Sequence, residues 1–119
     1  MYKRQLSRRI IYLVFEGFEL LDYAGSCSVF NAARSLGEQS DYELCALSSN
    51  GGLVSAYCGT EVNTAPLSSI KVTSKDTILI VGGGEEAIIG ATEDKVLAQW
   101  LIENCHKACL LYTSDAADD

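Results

Sequence analysis

The fold is decided by residues 15–30, which read FEGFELLDYAGSCSVF and join an apolar strand to an amphipathic helix. The apolar run at 10–15 is too short for a helix and rich in β-branched residues, which predicts a strand covered on both faces. From Asp22 onward the apolar residues recur at helical spacing, which predicts a helix with one buried stripe. Open α/β sheets bind their ligands where such a strand passes into its helix, so Asp22 is well placed to contact a ligand.

The rest of the chain alternates in the same way. Apolar runs at 42–47 and 77–81 predict two further strands, and residues 53–57 and 61–64 predict a short hairpin around a glycine turn. The last helix is predicted to begin at Thr92, a good N-cap residue followed by two carboxylates. The order strand, helix, strand, hairpin, strand, helix is typical of an α/β fold with a parallel sheet and right-handed crossovers.

Length and composition limit the function. A chain of 119 residues is one domain at most, and its formal charge of −7 argues against a nucleic-acid-binding surface, which needs clustered Lys and Arg. The apolar runs are too short for a signal peptide or a membrane span. Because the cysteines show no CxxC spacing, reduced thiols are expected. We therefore predict a cytoplasmic protein that by itself binds neither DNA nor membranes.

Both ends of the chain look foreign. Residues 109–119 resemble one reading frame of a common sequencing adaptor, and residues 1–5 resemble the opposite strand of the same adaptor. Segments of this kind are set aside before a fold is predicted. We therefore expect residues 6–108 to be part of a larger domain, with 1–5 and 109–119 as non-native, adaptor-derived ends. Cys109, in the tail, is not counted as a functional thiol.

Three residues are candidates for a binding site. Asp22 could contact a ligand, or it could be an ordinary N-cap or first-turn carboxylate of its helix. Gly83 and Gly84 follow a predicted strand, and their backbone N–H groups could face a developing oxyanion or simply allow a tight turn. The run GGGEEA at 82–87 superficially fits a dinucleotide fingerprint, but its two carboxylates would repel a pyrophosphate and it does not follow the first strand.

No catalytic group is expected. His106 is the single histidine and has no nucleophile near it in the sequence. Cys27 falls on the buried stripe of its helix, where a thiol is hidden, and Cys58 lies beside a turn glycine without an activating neighbour. Histidines, cysteines and carboxylates do not cluster at metal-ligand spacing. We therefore predict no catalytic residue, no metal and no cofactor.

A family resemblance adds to these patterns. Residues 18–30, FELLDYAGSCSVF, resemble the PfpI superfamily (DJ/PfpI, class I glutamine-amidotransferase-like), and are most similar to the N-terminal sensor domain of GlxA-type AraC-family transcriptional regulators. GGLVS at 51–55 and VGGG at 81–84 match later landmarks, whereas Ser26 and Gly82 stand where that family usually has Pro. The resemblance implies a flavodoxin-like or Rossmann-like three-layer parallel sheet, truncated before the nucleophile elbow that carries the family's reactive cysteine.

The resemblance also implies a pocket and two functions. In enzymatic members an acidic residue at the position of Asp22 faces the reactive cysteine, and the glycine pair faces the oxyanion, so Asp22, Gly83 and Gly84 form the candidate pocket. The first function is the ligand-sensing domain of a regulator with a small-molecule effector. Its full-length parent would be a homodimer that binds DNA only through a missing C-terminal helix-turn-helix domain. The alternative is a fragment of a stand-alone PfpI-like cysteine enzyme, an isonitrile hydratase-like hydro-lyase or an amidase or hydrolase.

Overall fold

The computed structural model describes residues 8–36, 42–108 and 110–113. The expected foreign head at 1–5, together with residues 109 and 114–119 of the expected tail, lies outside these ranges. The elements, in chain order, are β1 (Arg8–Leu13), α1 (Leu20–Leu36), β2 (Tyr42–Ser48), β3 (Gly52–Ser55), β4 (Glu61–Pro66), a 3₁₀ turn (Leu67–Ser69), β5 (Asp76–Ile80), α2 (Glu85–Thr92), α3 (Lys95–Asn104) and β6 (Leu110–Thr113).

The six strands form one sheet in the order β3-β4-β2-β1-β5-β6. All neighbouring pairs are parallel except β3 and β4, which form the predicted antiparallel hairpin. The central strand is β1, where Ile11 lies opposite Cys45 of β2 on one side and Ile78 of β5 on the other. The predicted α/β fold with a mostly parallel sheet is therefore confirmed.

Side chains of β1 alternate between two apolar clusters, one on each face of the sheet. Ile10 and Tyr12 belong to the cluster that α1 covers with Tyr23, Cys27 and Phe30. On the opposite face, Ile11 and Leu13 pack with Leu97 and Trp100 of α3. The three layers are thus α1, sheet and α3, and burial on both faces explains why residues 10–15 are continuously apolar.

The strand order places a crevice at one edge of the sheet. The chain leaves β1 toward β2 and later returns on the other side of β1 at β5. The loops that follow β1 and β5 therefore diverge at the carboxyl edge of the strands, and this divergence is the switch point at which such sheets bind ligands.

The first helix begins at Leu20, so Asp22 is its third residue and lies in its first turn, which is one of the two structural roles predicted for it. The two later helices differ from the sequence prediction. The prediction that Thr92 begins the last helix was wrong, because Thr92 ends α2 and its hydroxyl donates to the Ile89 carbonyl at 2.7 Å. Asp94 caps α3 instead, since its carboxylate accepts the N–H groups of Val96 and Leu97. The sequence analysis missed α2 altogether and treated its start as part of a glycine-rich turn.

The last strand lies in the tail that was set aside as foreign. Leu110–Thr113 pairs in parallel with β5, with Thr77 opposite Leu110. A short apolar segment can complete the edge of a sheet whatever its origin, because the bonds of the ladder are made by backbone groups. The adaptor origin of the tail, and the assignment of 6–108 as a partial domain, stay predictions.

Candidate functional site

The loop after β1 is hydrogen-bonded on one side to the end of β3 and on the other side to the residues that follow β5. The Gly17 N–H donates to the Ser55 carbonyl, and the Glu19 N–H donates to the Gly82 carbonyl, both at 2.8 Å. Between them, the Phe18 side chain is fully buried. The loop is therefore held from both sides, and it forms a fixed wall of the crevice.

Close approach of α2 to this loop depends on two glycines. Gly17 has a φ of +83°, and a Cβ added there would lie 3.0 Å from the Ala87 Cβ. A Cβ at Gly83 would lie 3.2 Å from the same Ala87 atom and 3.3 Å from the Phe15 ring. Contacts this short are tighter than ordinary van der Waals contact, so any side chain at Gly17 or Gly83 would displace α2. At Gly84, the N-cap of α2, an added Cβ would meet open space.

A cleft of about 570 Å³ opens between the two loops, and we call it the switch-point cleft. Tyr57, at the tip of the β3–β4 hairpin, stands at its mouth with 84% of its surface exposed. The Tyr57 N–H donates to the Phe18 carbonyl at 2.9 Å, which attaches the hairpin tip to the first loop. The residues lining the cleft are Glu16, Gly17, Tyr57, Gly84, Glu85, Glu86 and Ala87.

The lining is acidic. It includes three carboxylates and no Lys or Arg. One of them, Glu16, accepts the Ser55 N–H at 3.2 Å, and the other two occupy the first turn of α2, where the positive end of the helix favours them. Because like charges repel, the lining disfavours an anionic ligand.

The three predicted pocket residues lie in different surroundings. Gly84 lines the cleft. Gly83 lies behind the cleft lining, where it forms an isolated β-bridge with Phe18. Because Gly83 has no side chain, Ala87 can pack close to it. Asp22 lies in the first turn of α1 and is absent from the cleft lining. That the three form one pocket stays a prediction.

Asp22 nevertheless has an unusual environment. Its Oδ2 atom is buried and has no hydrogen-bond partner among the described residues. Buried polar atoms are almost always paired, because leaving one unpaired costs about 1–3 kcal/mol. An oxygen in this state can accept a hydrogen bond from a group outside the described part of the chain.

One helical turn after Asp22, α1 is attached to the central strand by a hydroxyl pair. The Ser26 Oγ lies 2.8 Å from the Tyr12 hydroxyl, and the rings of Tyr12 and Tyr23 meet edge to face at 5.2 Å. Burial raises the pKa of each tyrosine to about 12, so both phenols are neutral at pH 7. Ser26, which stands where the resembling family has Pro, thus orients the helix that carries Asp22.

The hairpin tip also carries an exposed thiol, that of Cys58. That nothing adjacent activates this thiol stays a prediction. The Thr60 backbone and hydroxyl groups hydrogen-bond the sulfur and lower the pKa of the Cys58 thiol, with the Thr60 Oγ1 at 3.6 Å from the Sγ.

Of the seven residues that line the cleft, only Gly84 was a candidate from the sequence. Glu16 could have been found, because it directly follows the first predicted strand at the edge where ligands bind. Tyr57 could not, because its position depends on how the hairpin folds over the loop after β1. Within the described ranges, no three His, Cys, Asp or Glu side chains are placed to hold a metal ion. In the same part of the chain, no helix is long and apolar enough to cross a membrane.

Comparison with known sequences gives one curated relative. No family profile matches the chain. A protein from Streptomyces lividans described as "Uncharacterized protein in cpoL 5'region" is 35% identical over 89 residues, which is 75% of this chain and 60% of the relative. The chain thus spans about 60% of the length of the curated relative that it matches.

Solved structures give the same partial coverage. A ThiJ/PfpI family protein from Pseudomonas syringae superposes with a TM-score of 0.73 at 16% identity, over 90% of this chain and 41% of that one. An AraC family transcriptional regulator from Pseudomonas putida superposes with a TM-score of 0.65 at 19% identity, over 88% of this chain and 55% of that one. At these identities the likeness is one of fold.

Proposed function

Because the chain has the fold of the ThiJ/PfpI superfamily, we propose that it is part of the ligand-sensing domain of a cytoplasmic, GlxA-like AraC-type transcriptional regulator. Its switch-point cleft binds a small-molecule effector. The chain itself neither catalyses a reaction nor binds DNA, and the regulator reaches DNA through a helix-turn-helix domain beyond this chain.

The observation that carries this proposal is the composition of the cleft. Its position matches the edge at which open α/β sheets bind ligands. Its lining carries three carboxylates and no Lys or Arg, which suits a cationic or neutral small molecule. The formal charge of −7 supports the absence of DNA binding by this part of the regulator.

A matched pair of glycines, one at the N-cap of α2 and one inside the helix, makes the effector site testable. At both Gly84 and Gly90 an added Cβ meets open space, so the first side-chain atom meets no clash at either position. Only Gly84 lines the cleft. Gly84→Leu is therefore expected to fill the cleft, and Gly90→Leu serves as its control.

The experiment is a thermal-shift screen with probes of different charge, namely arginine, choline, putrescine, uridine and acetate. A ligand present at 100 times its dissociation constant stabilises the folded state by about 2.7 kcal/mol. We expect a cationic or neutral probe to raise the melting temperature of the wild type and of Gly90→Leu, but not of Gly84→Leu. Stabilisation by a probe that persists in Gly84→Leu would contradict binding in the switch-point cleft. Stabilisation by acetate alone would contradict a site that disfavours anions.

The alternative function is favoured by one observation, the unpaired Oδ2 of Asp22. In a stand-alone PfpI-like cysteine enzyme, such as an isonitrile hydratase-like hydro-lyase or an amidase or hydrolase, an acidic residue at this position would face the reactive cysteine. Sequencing the same locus further downstream separates the two functions. A basic helix-turn-helix pair at the end of the reading frame supports the regulator. A stop codon soon after an elbow cysteine supports the enzyme.

A further inference from the structure

We propose that Tyr57 sets the specificity of the switch-point cleft, because its aromatic ring receives an alkylammonium group of the effector. The inference rests on the proposed function, since it concerns the same cleft. It goes further by naming the chemical group that the cleft recognises and the side chain that recognises it. An alkylammonium group is a nitrogen cation with carbon substituents, and the face of a tyrosine ring attracts such a cation electrostatically.

Tyr57 combines a fixed backbone with an exposed side chain. Its N–H donates to the Phe18 carbonyl at 2.9 Å, and the N–H of the buried Ala56 before it donates to the Thr60 carbonyl at 2.8 Å. Nevertheless, 84% of the surface of Tyr57 is exposed. A tyrosine on a fixed backbone offers a large contact area at a low cost in conformational entropy, because it has only two side-chain torsions to order. Tyr57 is therefore suited to cover a ligand at the mouth of the cleft.

The carboxylates of the cleft favour the same sign of charge as the ring. Glu16 lies in the loop after β1, whereas Glu85 and Glu86 lie in the first turn of α2. A cation bound between the loop and the helix is attracted by all three carboxylates and lowers the repulsion among them. The ring of Tyr57 also attracts a cation more strongly than a neutral group of the same shape. Both parts of the lining therefore favour a positively charged ligand.

The placement of the carboxylates favours an organic cation over a bound metal ion. A metal ion such as Ca²⁺ or Mg²⁺ needs several oxygen ligands at about 2.0–2.6 Å. Within residues 8–36, 42–108 and 110–113, no three His, Cys, Asp or Glu side chains are placed to hold one. The volume of the cleft, about 570 Å³, lies in the range of roughly 300–1,000 Å³ that is usual for small-molecule sites. An alkylammonium compound meets both conditions.

Two probes of the same shape isolate the effect of charge. Choline and neohexyl alcohol differ at one position, where the uncharged alcohol has a carbon atom in place of the choline nitrogen. Isothermal titration calorimetry with the whole chain measures the dissociation constant of each probe. We expect the wild type to bind choline at least about fivefold more tightly than neohexyl alcohol, because only choline gains from the ring face and the carboxylates.

Substitutions at Tyr57 test the ring itself. Tyr57→Phe keeps a ring and should bind choline about as tightly as the wild type. Tyr57→Leu keeps an apolar side chain without a ring, so its dissociation constant for choline should rise about fivefold, while that for neohexyl alcohol should change by less than about twofold. Leu53→Ala is the matched control, because Leu53 is 61% exposed on the same hairpin and is not part of the cleft lining. This control should leave both dissociation constants unchanged.

The outcomes separate the role of Tyr57 from the proposed function of the cleft. A wild type that binds choline no more tightly than neohexyl alcohol would overturn the role of Tyr57. So would a Tyr57→Leu variant that binds choline as tightly as the wild type, or a Leu53→Ala variant that loses as much affinity as Tyr57→Leu. In these cases the effector site itself stands if Gly84→Leu abolishes the binding of any probe. If Gly84→Leu leaves choline binding unchanged, choline binds outside the cleft, and the effector site and the role of Tyr57 fail together.

Discussion

The two edges of the sheet differ in how completely their polar groups are paired. At the amino edge, Arg9 of β1 and Asp76 of β5 meet in a two-pronged ion pair. At the carboxyl edge, Asp22 keeps a buried oxygen without a partner in the described chain, and a cleft opens between the loops. We call the amino edge, where the polar groups are paired, the sealed edge. We call the carboxyl edge, where the cleft opens, the open edge.

At the sealed edge, the charged groups of Arg9 and Asp76 have hydrogen-bond partners. The Arg9 Nε and Nη2 donate to the two Asp76 oxygens, each at 2.8 Å, and the Thr73 N–H adds a third bond at 2.8 Å. Arg9 also donates to the Lys71 carbonyl at 3.1 Å. The Asp76 side chain is only 2% exposed. Such a network fixes the loop before β5, and it has no capacity left for a ligand.

At the open edge, backbone conformation and close packing lower the stability of the fold. Gly17 adopts a left-handed backbone conformation, and Ala87 packs against the space that a side chain there would fill. Strain and unpaired polar groups concentrate at functional sites. The amino edge is therefore the better stabilised of the two, and the carboxyl edge is the one proposed to bind a ligand. The following substitutions test that division.

The largest effect is expected from breaking the sealed edge. Asp76→Ala leaves the partly exposed Arg9 guanidinium without its partner, and loss of hydrogen bonds to a charged group costs about 1.5–3 kcal/mol. Urea denaturation of the wild type and the variant measures the loss. Arg8→Ala is the matched control, because Arg8 is an exposed residue next to Arg9 and should cost less than about 0.5 kcal/mol. Equal losses in the two variants would contradict a structural role of the pair.

A smaller effect is expected from a methyl group at the open edge. Gly17→Ala forces a left-handed alanine, which costs about 1–2 kcal/mol, and its Cβ would also crowd Ala87 at 3.0 Å. Gly84→Ala is the control within the same cleft, since its φ is −71° and its Cβ meets open space. If thermal denaturation shows both variants to be equally stable, the close packing of α2 on the first loop is wrong.

The pH dependence of stability tests the ion pair in a different way. Burial acts to raise the pKa of the Asp76 carboxyl, but hydrogen bonds from Arg9 and Thr73 outweigh it and leave that pKa lowered. A carboxyl whose pKa is lower in the folded state stabilises the fold above its unfolded pKa of about 3.9, and this contribution disappears as the pH falls through the folded pKa. As the pH falls from neutral to about 2, the wild type should therefore lose more of its unfolding free energy than Asp76→Asn does. If the unfolding free energies of the two proteins change equally with pH, the prediction that the ion pair lowers the pKa of Asp76 is wrong.

The smallest effect is expected at Asp22. Asp22→Asn removes a charge that the helix N-terminus favours by about 0.3–1 kcal/mol, but the neutral amide also costs less to bury than a carboxylate with an unpaired oxygen. The two changes oppose each other, so the unfolding free energy should change by less than about 1 kcal/mol. A loss as large as that of Asp76→Ala would mean that Asp22 is a structural residue, and the contrast between the two edges would fail.

Particular residues show how far the sequence could predict this site. Burial of 10–15 on both faces followed from its unbroken apolar run, and the hairpin followed from two short strands around Gly59. The start of α3 was misplaced because Thr92 and Asp94 are both good N-cap residues. Only the hydrogen bonds from Val96 and Leu97 decide between them. The helix α2 was missed because three glycines precede it, and glycines read equally well as a turn.

The sequence by itself determined the α/β class, the order of the strands along the chain and the edge at which a ligand is expected. The class and the strand order follow from local periodicity and turn residues, which act over a few positions. Only the tertiary structure decided that Tyr57 stands at the mouth of the cleft, that Ala87 closes on Gly17 and that the Asp22 Oδ2 is left unpaired. Each of these depends on which distant segments pack together, and contacts between distant segments leave no periodic pattern in the chain.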